Sequence, residues 1–162
     1  MSRLRLYVTL KFYLVKVLIF KIFRINHRYR LGNFEIILPA EHMLPFYKSK
    51  YSRYDKFLPF LAEYFKDGDL IIDVGANVGD TVVQIFLVNN KLSFICIEPD
   101  SRFFKYLLYN IKRLERISNK ISIEPIQKFV GTQTGNPSLI GGGGPSAPFL
   151  LMFPPPLGLT IT

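Results

Sequence analysis

The sequence contains one cysteine, Cys96, which excludes an internal disulfide framework and any multi-cysteine metal site. Its two histidines, His27 and His42, stand apart, with no cysteine or carboxylate at metal-ligand spacing. No metal is therefore expected, and both imidazoles are expected to be solvated or locally bonded. Residues 1–30 contain no acid, and the 34 residues after Lys128 contain no Asp, Glu, Lys, Arg or His at all. Between Asp67 and Asn90 there is no Lys or Arg. These three absences divide the chain more sharply than any motif does.

The net charge of +9 suggests a polyanion as partner until it is located. Residues 1–30 hold eight bases, which leaves 13 bases against 12 acids for the rest. The basicity belongs to an arm, not to the body. In residues 4–25 a base interrupts the apolar residues every three to six positions. The uncharged runs fall short of the roughly 20 residues a membrane span requires, and Lys16 would sit near mid-membrane. The arm is more apolar than phosphate tracking needs, so nucleic acid is not expected as a partner. Two readings of residues 1–25 stay open: peripheral contact with a membrane surface, or a helix packed on its own domain with snorkelling lysines.

With 162 residues, 49% of them apolar and 20% charged, the chain has enough for one folded domain. Arg28–Leu31 and Phe34–Leu38 flank Gly32-Asn33 and predict a hairpin. Asp55 to Phe65 predicts a helix with Pro59 in its first turn. A β-α-β-α-β pattern follows. Its strands are Leu70–Val74, Ser93–Ile97 and Ile121–Ile126, the last weakened by Pro125, and its helices are Thr81–Val88 and one capped by Asp100 or Ser101. That alternation predicts a parallel sheet. The tail contains Gly141–Gly144 and Pro154–Pro156 and shows no helix or strand period.

The chemistry concentrates in Asp73-Val74-Gly75-Ala76-Asn77-Val78-Gly79-Asp80-Thr81, between a strand and a helix, where open α/β sheets bind ligands. Gly75 permits a sharp turn off the strand, and Gly79 a close approach of backbone to ligand or helix. Asn77 tolerates a left-handed backbone and stands where a dinucleotide fingerprint requires its second glycine. Asp80 is expected to cap the helix. Glu98 ends the next strand, 19 residues beyond Gly79, where an acid accepts hydrogen bonds from both ribose hydroxyls. A pyrophosphate beside Asp73, with no base nearby, would be repelled. A ligand with ribose and adenine but a cationic tail fits better, and S-adenosylmethionine is such a ligand. Cys96, inside a strand, reads as a packed hydrophobe.

The loop, together with Ile97-Glu98-Pro99-Asp100 and a helix carrying Asn110, resembles the FkbM-type S-adenosylmethionine-dependent methyltransferases from about Tyr54 to Gly135. The resemblance implies a Rossmann-like α/β methyltransferase fold that transfers methyl to hydroxyls of sugars, lipid-linked glycans or other metabolites, with a small-molecule or glycan acceptor as partner. It implies that Asp73, Gly75, Asn77 and Gly79 form the cofactor loop and that Glu98 holds the ribose, with Asp100 and Asn110 matching the pattern. No catalytic residue is assigned.

That family has seven strands and an Ile-Asp-Val-Glu-Gly type motif on the fourth, and nothing like it follows Gly135. The chain is thus expected to be a truncated or frame-shifted member, possessing about three parallel strands after a basic N-terminal helix and hairpin. The expected organisation is an arm at 1–30, hairpin and helix at 31–66, the N-terminal half of the methyltransferase domain at 67–135, and an unstructured tail at 136–162. Without a fourth strand, Leu70–Val74 would keep an open edge. The location expected is cytoplasmic, with membrane association through the arm left open. Two other function classes remain: a nucleotide-dependent oxidoreductase on a related fold, and a non-enzymatic membrane-surface protein.

Overall fold

The computed structural model describes residues 3–22, 26–51, 53–118, 121–130 and 149–151. A long helix α1 (Arg3–Ile22) precedes the hairpin β1 (His27–Leu31) and β2 (Phe34–Leu38). Two short helices follow, α2 (Leu44–Lys50) and α3 (Phe57–Glu63). The α/β unit comprises β3 (Leu70–Val74), α4 (Asp80–Phe86), β4 (Ser93–Ile97), α5 (Ser101–Glu115) and β5 (Ser122–Ile126), and a three-residue strand β6 spans Phe149–Leu151. The sheet order is β5-β4-β3-β6. β3, β4 and β5 run parallel, with Asp73 opposite Cys96 and Val74 opposite Ile97.

The hairpin forms where the turn residues require it. Gly32 takes φ +56 and Asn33 does not turn positive, the pattern of a two-residue turn with glycine first. β1 packs on α4 and β2 on α5. Phe34, Ile36 and Leu38 are buried, and they join Val82, Val83, Phe94, Leu107 and Leu114 in one core.

Three expectations change. Pro45 does not merely interrupt the chain: it lies in the first turn of α2, where a missing amide costs nothing, so Leu44–Lys50 is helical. The helix expected over Asp55–Phe65 begins only at Phe57, because Asp55 adopts φ +54. The open edge of β3 is covered, since β6 pairs antiparallel with it through Ile72↔Leu151 and Val74↔Phe149. Those residues belong to the tail expected to be unstructured. A bare parallel edge offers unpaired amides and carbonyls, and a short apolar run can take them up. Gly135, Gly144 and most of that tail lie outside the described residues. Pro125 is tolerated because β5 is the outer strand at the other edge.

Asn110, in the middle of α5, binds the two halves together. Its Oδ1 accepts from the Ile37 amide, and its Nδ2 donates to the carbonyls of Ile37 and Val78, each at 2.9 Å. It is buried, so water cannot replace these partners. Asn110→Ala strands three backbone groups, and a loss of about 3 kcal/mol is expected in urea unfolding. A loss below that of an ordinary surface substitution would remove this role.

Candidate cofactor site

The site lies at the carboxyl ends of β3 and β4. The chain leaves β3 through Gly75 at φ +81, and the carbonyl of Ile97 accepts from the amides of Gly75 (2.8 Å) and Ala76 (3.0 Å). The loop is thereby fixed over the end of β4. A Cβ built on Gly75 would meet no atom within 4 Å, so the turn opens on free space. Gly79 serves another purpose. At φ +86 it caps α4, and a Cβ there would lie 3.0 Å from Leu107 Cδ1. Its positive φ favours glycine, and a side chain there would also press on Leu107 of α5. Asp80 is therefore not the cap: it is the first residue of α4, and no side-chain cap bond forms.

Asn77 sits in the left-handed region at φ +51 and is held from two sides. Its amide donates to Glu98 Oε2 at 2.8 Å. Its Oδ1 lies 3.1 Å from His42 Nε2. The proton on that contact can be assigned. His42 Nδ1 accepts from the Leu44 amide at 3.2 Å, so the neutral ring carries its hydrogen on Nε2 and donates to Asn77. Burial lowers the His42 pKa, which keeps the ring neutral, although the Asn77 bond and Glu41 pull the other way. With Oδ1 occupied, the Asn77 NH₂ group finds no protein acceptor among the described residues.

Glu98 is 5% exposed and uses each oxygen once, Oε2 for Asn77 and Oε1 for the Asp100 amide at 2.8 Å. A carboxylate offers about four lone-pair sites, so both oxygens keep capacity for further donors. Burial pushes its pKa up, and the two amide bonds pull it back. Asp100 caps α5 by accepting from the Arg102 amide at 2.8 Å.

Asp73 is the anomaly. It is 0% exposed, and neither carboxylate oxygen has a hydrogen-bond partner. Burial, then the carboxylates of Asp80 and Glu98, push its pKa up to about 7. Burial and Asp55 push that of Asp80 up to about 6, with Lys48 opposing. Lys48 itself is committed elsewhere: it donates to Gln84 Oε1 at 2.6 Å and pairs with Asp55 at 3.6 Å. Cys96 is buried opposite Asp73 and its thiol is pushed well up by burial, as befits a packing residue. Among the described residues no group of His, Cys, Asp and Glu has metal-binding geometry.

The structure thus brings Asp73, Gly75, Asn77 and Glu98 to one place and assigns Gly79 to helix packing. His42 was not expected there. Its sequence neighbours give no signal, because its partner Asn77 lies 35 residues away. A hollow bordered by Ala62, Phe86 and Lys91 opens at the other end of the sheet, away from these groups.

No family model matches the chain, and no curated protein matches it. Two solved structures from Pyrococcus horikoshii are similar to it. One is described as "putative transferase PH0793" (21% identity, TM-score 0.47), the other as TYW2 in complex with MeSAdo (22% identity, TM-score 0.48). Each likeness covers 62% of this chain and 36% of the solved one, so the chain spans little more than a third of their length.

Proposed function

We propose that the β3–α4 loop and Glu98 bind S-adenosylmethionine, and that the protein acts in methyl transfer to a hydroxyl of a sugar, lipid-linked glycan or other metabolite. The observation that carries this is Asp73, a fully buried carboxylate without a partner at the strand end. An uncompensated buried charge is costly unless a ligand supplies the opposite sign. Asp73, Asp80 and Glu98 act on one another there, and the neighbouring bases are engaged by other partners, Lys48 by Gln84 and Asp55 and Arg102 by Asp100. That balance suits a cation and opposes a pyrophosphate, which weakens the oxidoreductase alternative.

Each residue then has a task. Gly75 keeps the turn open, and Asp73 provides the negative field. Glu98 accepts from ribose hydroxyls with its unused lone pairs, and the Asn77 NH₂ donates to a carboxylate. The cofactor supplies a methyl group activated by its sulfonium. The protein's part is in-line positioning, which contributes on the order of 7–11 kcal/mol. The choice of a hydroxyl acceptor draws on the FkbM resemblance.

Calorimetry of the folded chain with S-adenosylhomocysteine and with NAD tests the proposal. Binding of the first and at least about tenfold weaker binding of the second is expected. Tighter binding of NAD, or no binding of S-adenosylhomocysteine, overturns it. His42 orients Asn77 through its Nε2 hydrogen bond. His42→Ala should weaken S-adenosylhomocysteine binding by about tenfold, a value typical of one lost positioning bond. Unchanged affinity would show that Asn77 holds its conformation unaided.

A further inference from the structure

Among the described side chains of helix α1, Tyr13 and Val17 are the half-buried ones. The Tyr13 hydroxyl donates to the His42 carbonyl at 2.5 Å, its ring packs 5.6 Å from that of Phe46, and Val17, one turn further on, is half-buried. The opposite side carries Phe12, Leu14, Val15, Leu18, Ile19 and Ile22, all exposed, Phe12 at 74% and Ile22 at 66%. Lys11 and Lys16 lie exposed in the same stretch. The helix is weakly amphipathic because it is apolar on both sides, one for the body and one facing out. A contiguous apolar surface of this size marks a contact site.

We propose that the outer face of α1 docks in the plane of an anionic lipid surface. Charge selects this occupant. Residues 1–30 carry eight bases and no acid. A second copy on the same face would bring two such basic arms together, like charge against like. An anionic bilayer supplies both complements, an acyl boundary for the apolar residues and headgroups for the bases. No described helix is long and apolar enough to cross a membrane, so the contact is lateral. The docking face lies opposite Tyr13, so the bond to His42 stays in place.

Flotation of the full chain with phosphatidylcholine vesicles, with and without phosphatidylserine, tests this. Partition at least about tenfold greater onto the anionic vesicles, falling with added salt, is expected. Phe12→Ser with Leu18→Ser should abolish it, and Lys11→Gln with Lys16→Gln should weaken it and flatten the salt dependence. Phe12 and Leu18 are exposed on the side opposite Tyr13, so far-ultraviolet dichroism and the thermal midpoint of that double variant should not move, which separates lost docking from lost folding. Equal binding to neutral vesicles, no binding at all, or a dimer that Phe12→Ser with Leu18→Ser dissolves would each overturn the proposal.

Discussion

Replacing Asp73 by asparagine is expected to stabilise the ligand-free protein at pH 8 and to weaken cofactor binding. In the unfolded chain this carboxyl ionises near 3.8, whereas in the fold it holds its proton to about 7. Between those values the folded state binds the extra proton. Its contribution to stability is full below pH 4 and lost as pH rises through about 7. At pH 8 the ionised, partnerless carboxylate costs up to about 4 kcal/mol. Asparagine removes the charge but keeps an unpaired buried amide, which costs ~1–3 kcal/mol. The net gain should be about 2 kcal/mol, visible as a higher thermal midpoint at pH 8 and no gain at pH 4.

Binding should move the opposite way. A cationic ligand requires Asp73 ionised, so wild-type affinity for S-adenosylmethionine should tighten from pH 6 to pH 8, with a proton released to buffer. Asp80, whose pKa is raised to about 6, leaves a smaller slope in the variant. Asp73→Asn should weaken binding by about 100-fold, the scale of one charge-assisted contact in a dry site. A variant that binds normally, or is less stable at pH 8, would show that Asp73 is structural.

Much of this site was legible in the sequence, and what was not has identifiable causes. β3 and β4 match their expected bounds because each is a short apolar run between turn residues. The Gly75 turn and the position of Glu98 follow from spacing alone. Asn110 was visible only as part of a resemblance. Its role, bonding Ile37 and Val78 at once, depends on β2 and the loop meeting at α5. His42 shows no sequence signal because its task needs a chain reversal through α2, whose Pro45 disguises a helix start as a break. β6 was invisible for a related reason: three apolar residues form a strand only when an edge is waiting for them.

Glu98→Gln gives the sharpest contrast with Asp73. The two acids share a site and a sign, yet their partners differ. Asp73 accepts no hydrogen bond, whereas Glu98 accepts from the Asn77 and Asp100 amides, one on each oxygen. Glutamine has nearly the same shape but a single acceptor. Its NH₂ must then face one of the two backbone amides, donor against donor. One amide loses its partner at a cost of ~1–3 kcal/mol. Where Asn77 is the amide affected, its left-handed turn loses a fixed end. The paired acceptors offered to the ribose hydroxyls are lost as well, and binding of S-adenosylhomocysteine should fall by about 100-fold. Both variants are thus expected to bind poorly, but their melting temperatures at pH 8 should move apart, Asp73→Asn upward and Glu98→Gln downward. Loss of binding alone would not distinguish a charge awaiting its ligand from a carboxylate that builds the loop, whereas opposite shifts in stability would. Shifts in the same direction would mean that the two carboxylates do the same work.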